Sequence, residues 1–411
     1  MINNIRNFFP KNVWLVVLVA ALGYFVDIYD LVIFSIIRVQ SFKDIGIPEA
    51  DMRLDGEYVL NMQMGGLLIG GILWGVLGDK FGRIKVLFGS ILMYSLANIA
   101  NAFVYDIHTY AIIRFIAGIG LAGELGAGIT LVSESMGKEH RGYGTMLVAS
   151  IGLLGAIAAF YVSDLFSWRI AYITGGIMGL LLLFLRIGSF ESAMFKDVME
   201  KKIEKGKLLM LFNNKERFLR YIYCLLIGLP TWFVIGILIS QSPEIGKALG
   251  APITLSAGKG ILFAYIGLAV GDILAGVLAQ YFKSRKLVLL ILQIFSIITT
   301  FWYLNSYGIT PDKFNVIAFF IGISVGYWAT FVTIASEQFG TNLRSTVTTT
   351  APNFARGALI PITYLFEYFV VQTNIITAAF IMIFLVTSIS VFALSRLKES
   401  FNKDLDYMEI S

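Results

Sequence analysis

The chain alternates long apolar runs with short polar connections, and this pattern predicts its architecture. Twelve runs reach about 20 residues or more, which is enough to cross a hydrocarbon core roughly 30 Å thick as an α-helix. They cover approximately residues 13–37, 56–78, 85–104, 110–136, 143–165, 168–188, 219–241, 257–281, 286–304, 314–338, 346–370 and 374–395. We therefore expect an all-α membrane protein with twelve transmembrane helices.

The longest polar stretch divides these runs six and six. Residues 189–218 carry a series of basic side chains, namely Lys196, Lys201, Lys202, Lys205, Lys207, Lys215 and Arg217. The predicted domains are an N-terminal six-helix bundle over 1–188, a cytoplasmic linker over 189–218 and a C-terminal six-helix bundle over 219–411.

The two halves also resemble each other in sequence. Shifted by 201 residues, the segment 70–85 aligns with 271–286 and is identical at eight of sixteen positions. Shifted by 203 residues, 133–141 aligns with 336–344 and shares a Ser, a Glu, a Gly and an Arg. A repeat close to half the chain length indicates two related, pseudo-symmetric bundles.

Composition and charge place the chain in a membrane and orient it. The 411 residues are 57% hydrophobic and only 14% charged, so a soluble domain could not bury the apolar surface. With both termini cytoplasmic, 23 of the 32 Lys and Arg fall on the cytoplasmic side and 7 outside, while Arg114 and Arg356 lie within runs. This asymmetry follows the positive-inside rule. We read the net charge of +5 as a topology signal in a plasma (inner) membrane protein, with no nucleic-acid partner.

A charged loop between the second and third runs carries the most specific motif. Residues 75–85 read G-V-L-G-D-K-F-G-R-I-K. Gly75 is a small residue that would let neighbouring helices approach closely. Asp79 is an acid at the membrane edge, Gly82 permits a tight turn, and Arg83 is a positive charge suited to a cytoplasmic loop.

The order G-x-L-G-D-x-x-G-R-x-K closely resembles the signature loop of the major facilitator superfamily, a large class of secondary transporters. The resemblance implies two bundles that alternately open a central cavity to each side. It also implies a cytoplasmic gate built from loop residues of both halves: Gly75, Asp79, Gly82, Arg83, Glu134, Arg141, Glu337 and Arg344. Solvated charge at the membrane interface is the alternative interpretation of these positions.

Charges inside the runs are the candidate coupling residues, because each costs at least about 2.5–3.5 kcal/mol at mid-depth. The first run contains Asp27 and Asp30, three apart and so near one helical face, and the fourth contains Arg114 and Glu124. By depth, Asp30 and Arg114 could pair if their helices are neighbours. The alternatives are a permanent ion pair that fixes two helices, or an Arg114 that reaches the outer interface.

Two of these segments carry a further resemblance. Tyr29-Asp30 resembles the tyrosine–aspartate of proton-coupled sugar porters and organic-acid symporters, and 114–120 resembles the arginine–glycine motif of the superfamily's fourth helix. The run that includes Glu124 is similar to the metabolite–proton symporters. In those families an acid–arginine pair on the first and fourth helices couples to a proton, which implies that role for Asp30 with Arg114.

Arg356 lies in the middle of the eleventh run, between Pro352 and Pro361. Prolines open the helix backbone where a cavity or a partner satisfies it again. An always-protonated guanidinium there could anchor an anionic substrate group. The alternative is an ion pair with an acid such as Asp272 or Glu367.

Three aromatic residues in the runs of the second half are candidates for the cavity wall, although such residues also face lipid or a neighbouring helix: Trp232, Tyr327 and Trp328.

We predict a secondary transporter that moves a small polar or anionic metabolite by proton symport, as a monomer without cofactor or metal. A proton-coupled exporter of a drug, metabolite or siderophore is the alternative. The fifth run has glycines but no proline, unlike the signature of drug–proton antiporters. A channel or a membrane-embedded enzyme would have to explain the duplicated halves, and the sequence shows no catalytic constellation.

Overall fold

The computed structural model describes residues 11–81, 83–124, 141–190, 208–401 and 409. Within these ranges all regular structure is helical, which confirms the predicted all-α class. Nine segments of the described chain are long and apolar enough to span a membrane, and two further apolar helices are shorter. The count of twelve spans stays a prediction.

Sixteen α-helices follow one another along the described chain. They are α1 Lys11–Asp44, α2 Met52–Phe81, α3 Arg83–Asn101, α4 Ile107–Leu121, α5 Arg141–Leu165, α6 Trp168–Phe190, α7 Lys215–Leu226, α8 Leu229–Phe233, α9 Ser242–Ala248, α10 Ala257–Phe282, α11 Arg285–Leu304, α12 Pro311–Val325, α13 Trp328–Glu337, α14 Thr341–Gly357, α15 Leu359–Gln372 and α16 Ile375–Arg396. A 3₁₀ turn covers Leu208–Leu211 and a π-helix covers Val234–Ile239.

Polar N-caps begin the long helices of the second half. Each cap side chain accepts a hydrogen bond from the backbone N–H three residues further on, at Ser256 for α10, Ser284 for α11, Thr310 for α12 and Asn374 for α16. These bonds satisfy N–H groups that have no partner within the helix. The polar residues between the runs therefore define where the spans begin.

Several spans predicted to be continuous are interrupted. The seventh is made of α7, α8 and the π-helix, the tenth divides into α12 and α13, and the eleventh divides into α14 and α15. Pro230 and Pro361 lie in the first turns of α8 and α15, where the missing proline N–H is tolerated. α4 ends at Leu121, and residues 125–136 of the predicted fourth span lie outside the described residues, so the length of that span stays a prediction.

Glycines bring two pairs of helices into backbone contact, and the same contact occurs in both halves. Where α2 crosses α4, a Cβ on Gly66 would lie 2.1 Å from the carbonyl oxygen of Phe115. Where α10 crosses α12, a Cβ on Gly267 would lie 2.0 Å from the carbonyl oxygen of Phe319. The two glycines are 201 residues apart, which is the shift of the sequence repeat. The repeat therefore corresponds to a repeated packing geometry.

The packing role predicted for Gly75 is not observed. A Cβ on Gly75 would meet no described atom within 4 Å, and the same holds for Gly276, its counterpart in the repeat. The close contact lies earlier on the helix, because α2 meets α4 at Gly66 and Gly70, where a Cβ on Gly70 would lie 2.4 Å from the Ile119 carbonyl oxygen.

The two halves of the chain meet along α14 with α2 and along α10 with α5. Beside the first of these contacts, the Asn353 side-chain amide donates to the carbonyl oxygen of Ala122, the C-cap residue of α4, at 2.9 Å. A Cβ on Gly357 would lie 2.6 Å from Leu68. The domain boundaries at 188 and 219 stay predictions, since 191–207 lie outside the described residues.

Replacing Gly267 by alanine tests the glycine contact. The new methyl group would meet the Phe319 carbonyl, which is backbone and cannot rotate away, so we expect a loss of about 1–3 kcal/mol. Thermal unfolding in detergent should show a lower midpoint for Gly267→Ala and no change for the control Gly276→Ala. Equal midpoints for the two variants would show that the crossing is not closely packed.

Candidate functional site

The centre of the bundle holds an ion pair between the two halves. Arg356 of α14 lies with its Nη2 3.7 Å from Oδ2 of Asp27 on α1, and the two side chains are 1% and 0% exposed. Asp272 and Glu367, the partners of Arg356 considered from the sequence, are both wrong. Asp272 accepts a backbone N–H from Ala329, and Glu367 pairs with Arg53.

Two tryptophans flank the same guanidinium. The ring centroids of Trp232 and Trp328 lie 5.8 Å apart at an interplanar angle of 79°. The Arg356 guanidinium carbon is 5.7 Å from the first ring and 5.9 Å from the second, within the range of a cation–π contact. Tyr327 is fully buried and lies next to Thr231. Thr231 belongs to α8, as does Trp232. We call Asp27, Trp232, Trp328 and Arg356 the central cluster.

The hydrogen-bonding groups of the central cluster are incompletely used. A guanidinium has five N–H donors, yet Nε of Arg356 has no acceptor among the described residues, and Nη1 has only a 3.5 Å contact to Asn353. Neither oxygen of Asp27 accepts a hydrogen bond from the described part of the chain. The pair is therefore a loose electrostatic contact, with donors left for another anion.

Asp30 and Arg114 are neighbours, but their side chains do not form the predicted pair. Arg114 Nη1 donates to the backbone carbonyl of Asp30 at 3.4 Å, and Nη2 donates to the Asn98 side chain. The guanidinium also lies 4.8 Å from the centre of the Tyr172 ring. Among the ion pairs of the described residues, none within 4.0 Å joins Arg114 to Asp30, because Asn98 of α3 takes the guanidinium instead. The neighbouring Tyr29 hydroxyl donates to the Ala171 carbonyl at 2.8 Å.

Glu124 has a partner that sequence analysis missed. Arg186 of α6 donates from Nη1 to Oε2 of Glu124 at 3.0 Å and from Nη2 to Oε1, and the side chains are 2% and 1% exposed. In the count of Lys and Arg on each side of the membrane, Arg186 is assigned to the cytoplasmic end of the sixth span. Its position inside the sixth run was the feature of the sequence that could have indicated a buried partner for Glu124. With both carboxylate oxygens bound, this pair fixes the segment that follows α4 to α6, beside Gly23 of α1.

A second group of charges joins the halves at the end of the bundle predicted to face outside. It consists of Arg38, Arg53, Glu57, Gln241, Glu244 and Glu367, and we call it the outer cluster. Arg38 Nη2 lies 2.7 Å from Oε1 of Glu244, and the Gln241 amide donates to Glu57 at 2.6 Å. Each contact joins a residue of the first half to one of the second, so together they hold the halves in contact at this end.

The predicted cytoplasmic gate is described only in part. Gly82 and Glu134 lie outside the described residues, as do the side chains of Asp79, Arg83 and Arg141. Glu337 pairs with Arg285 at 2.7 Å, and Arg344 reaches the Phe339 carbonyl at 3.5 Å.

The turn between α10 and α11 is held by Glu399, which follows α16. Partial burial tends to raise the pKa of the Glu399 carboxyl. Hydrogen bonds from the Ser284 hydroxyl and from the backbone N–H of Phe401, Arg285 and Lys286 outweigh it and hold the pKa below its usual value. The ionised Glu399 therefore ties 284–286 to the segment that follows α16.

An all-helical bundle with a repeated glycine crossing and buried charges between its halves fits the family that the signature loop predicts. The family model of the Major Facilitator Superfamily matches residues 13–362. The chain therefore belongs to the Major Facilitator Superfamily, which confirms the family predicted from the signature loop, and it is a multi-pass membrane transporter of small molecules rather than an enzyme.

Two relatives and one solved structure are similar to the chain. It is similar to the probable 4-methylmuconolactone transporter of Cupriavidus pinatubonensis, with 26% identity over 79% of this chain and 76% of that protein. The niacin transporter NiaP of Acinetobacter baylyi is 33% identical over 39% of this chain and 36% of that protein. The structure of the proton:xylose symporter XylE superposes with a TM-score of 0.71 and 17% identity, covering 96% of this chain and 98% of that one.

Removing Glu244 tests whether the outer cluster holds this end closed. A buried charge-assisted hydrogen bond contributes roughly 1.5–3 kcal/mol, so Glu244→Ala should open the end more often. Ser242, buried at the start of α9, can be changed to cysteine and labelled with a maleimide in purified protein, since the native Cys224 is fully buried. We expect labelling to be at least about tenfold faster in Glu244→Ala.

The matched control is Glu49→Ala. Glu49 pairs with Lys247 across the same gap at 3.7 Å, but both side chains are 83% exposed, and exposed pairs contribute little. Labelling at the unmodified rate is expected there. If both variants label alike, the outer cluster does not control opening.

Proposed function

We propose that this protein is a proton-coupled symporter of small organic anions, with the central cluster as its binding and coupling site. The observation that carries the proposal is Arg356. It is a permanent cation in the middle of the bundle, held only loosely by Asp27, with unused donors and two flanking indole rings. A charge so costly to bury in lipid has a function by default.

The shape of the central cluster favours a carboxylate attached to a flat ring. A guanidinium fork matches the two oxygens of a carboxylate. Trp232 and Trp328, set edge to face, present apolar surface on which an aromatic or cyclic body can pack. The relatives named as a niacin transporter and a methylmuconolactone transporter support this substrate class, since niacin is an aromatic carboxylate.

Charge balance at the central cluster provides the coupling. With Asp27 ionised, Arg356 is already neutralised and has little affinity for an anion. When Asp27 takes up a proton, the positive charge is left unpaired in a low-dielectric site, and an anionic substrate restores neutrality. Proton and substrate thus favour each other's binding, as linkage requires. One proton with one monovalent anion makes the loaded site electrically equivalent to the empty one.

Alternating access follows from the position of the central cluster between the halves. Asp27 belongs to α1, whereas Trp232, Trp328 and Arg356 belong to the second half. Rocking of a six-helix bundle over 1–188 against one over 219–411, joined by the linker 189–218, would expose the cluster to each side in turn. The outer cluster would close one end and the loop residues of the predicted cytoplasmic gate the other. We place both termini in the cytoplasm of a monomer in the plasma membrane.

Changing Arg356 to lysine should weaken binding of a carboxylate. Lysine keeps the charge but loses the planar fork and its contacts with the indole rings. With nicotinate as the probe, calorimetry on purified protein should show Kd raised at least about tenfold, since hydrogen bonds to charged groups are worth about 1.5–3 kcal/mol.

Arg114→Lys is the matched control, because Arg114 is also a buried arginine that stacks on an aromatic ring. We expect it to leave nicotinate binding within about threefold, a difference below 1 kcal/mol. Loss of binding in Arg114→Lys alone would place the anion site in the first half. Binding of D-xylose in preference to nicotinate would contradict the proposed substrate class.

Asp27→Asn and Asp30→Asn, compared in proteoliposomes, identify the coupling acid. An amide at 27 cannot take up the proton, so we expect Asp27→Asn to exchange nicotinate across the membrane yet fail to accumulate it on a pH gradient. The sequence-based prediction assigns the same behaviour to Asp30→Asn. If Asp30→Asn alone loses accumulation, the coupling acid is Asp30 and our assignment to Asp27 is wrong. If both variants accumulate nicotinate, neither residue couples.

A further inference from the structure

The tenth span is interrupted between α12 and α13, in the interior of the bundle. The N–H of Gly326 ends α12 on the carbonyl of Ile323 at 3.1 Å, and α13 begins at Trp328. The first N–H groups of a helix have no partner within it. The side chain of Tyr327, the N-cap residue, forms no cap hydrogen bond. Since lipid cannot satisfy such groups, a helix beginning at this depth needs an acceptor from elsewhere in the protein.

Asp272 of α10 supplies that acceptor. Its Oδ1 accepts the backbone N–H of Ala329 at 3.0 Å, and the carboxylate also faces the N–H of Trp328. The side chain is only 8% exposed. A negative charge at a helix N-terminus is stabilised by the partial positive charge of the N–H groups there. Asp272 therefore caps a helix that belongs to a different part of the chain.

The glycine crossing sets the height at which this carboxylate lies. A Cβ on Gly326 would lie 2.6 Å from the Cα of Gly271. The two backbones touch at the break itself, so the residue after Gly271 is held beside the first turn of α13. The contact leaves little freedom for α10 to slide along α12, because small residues let the helices interlock.

The sequence repeat indicates that this acid is specific to the second half. At the shift of 201 residues, Asp272 aligns with Gly71, while its neighbour Gly271 aligns with Gly70. In the first half, a Cβ on Gly71 would meet the side chain of Asn353 at 3.2 Å, a contact between the halves. The glycine crossing is thus common to both repeats, whereas the carboxylate occurs only beside Trp328.

The residue whose position depends on this cap is Trp328. It is the first residue of α13, and its ring lies 5.8 Å from that of Trp232 and 5.9 Å from the guanidinium carbon of Arg356. We propose that Asp272 is a positioning residue whose carboxylate caps α13 and thereby holds Trp328 in the central cluster. That Trp328 then contacts substrate rests on the proposed function; the capping does not.

Two substitutions of Asp272 separate the effect of its hydrogen-bond acceptor from the effect of its negative charge. Asp272→Asn keeps an oxygen that can accept the Ala329 N–H but removes the charge. Asp272→Leu has a similar shape and no acceptor, and replacing a buried charge with an apolar side chain of similar volume is often tolerated. Each is made with and without Trp328→Phe, so that the difference between paired fluorescence spectra isolates the emission of one of the six tryptophans.

We expect the Trp328 emission and its acrylamide quenching to change in Asp272→Leu and to match the unmodified protein in Asp272→Asn. With nicotinate as the probe, Asp272→Leu should raise Kd about tenfold, as the loss of a helix cap implies, and Asp272→Asn should leave it within about twofold. Arg356→Lys, measured in the same assay, provides the reference for direct loss of the anion contact.

The outcomes are separable. An unchanged Trp328 spectrum in Asp272→Leu overturns the proposal, and so does an Asn variant as disturbed as the Leu variant, because the charge and not the acceptor would then be required. If Asp272→Leu does not fold, Asp272→Ala, which also lacks an acceptor, takes its place and decides in the same way. If no variant, nor the unmodified protein, binds nicotinate, the proposed function fails while the fluorescence result on Asp272 still stands.

Discussion

Backbone contact at glycine is the constraint on which the rest of this structure depends. Lipid tails are as apolar as the helix surfaces, so the hydrophobic effect does not press helices together, and close packing must do it instead. The crossings at Gly66 and Gly267 bring helices to backbone distance at equivalent places in the two halves. These crossings fix the height in the bundle of the residues around them. Those residues include the break between α12 and α13, next to which Trp328 lies in the central cluster.

Buried arginines in this fold differ in how fully they are neutralised, and that difference separates structure from function. Arg186 is bound twice by Glu124, which satisfies both oxygens and fixes two helices. Arg114 is held by an asparagine, a backbone carbonyl and an aromatic ring within the first half. Arg356 has a 3.5 Å contact with Asn353 and two flanking indole rings, and its one ion-pair contact among the described residues is the 3.7 Å contact with Asp27 across the boundary between the halves. In the proposed mechanism, the arginine with the loosest ion-pair contact is the one that exchanges its partner for a substrate.

Much of the fold could be predicted because lipid imposes simple rules on sequence. A run of apolar residues long enough to span the membrane predicts a helix, and the loop at 75–85 indicates the family that the family model confirms. The interruptions of the seventh, tenth and eleventh spans were missed, because an apolar run looks the same whether or not its backbone is continuous. Proline marks two of them, whereas the break at Gly326 depends on contact with Gly271 in another helix.

The sequence by itself determined the all-helical membrane class, the duplication, and which costly charges lie within the runs, since these follow from composition and period along one chain. Tertiary structure alone decided the partners: Asp27 for Arg356, Asn98 for Arg114, and Arg186 for Glu124. A pairing depends on the rotation and height of two separate helices, and a one-residue change in either turns a side chain by about 100°. The length of an apolar run does not specify the rotation or height of its helix. Close packing at the glycines of neighbouring helices does specify them.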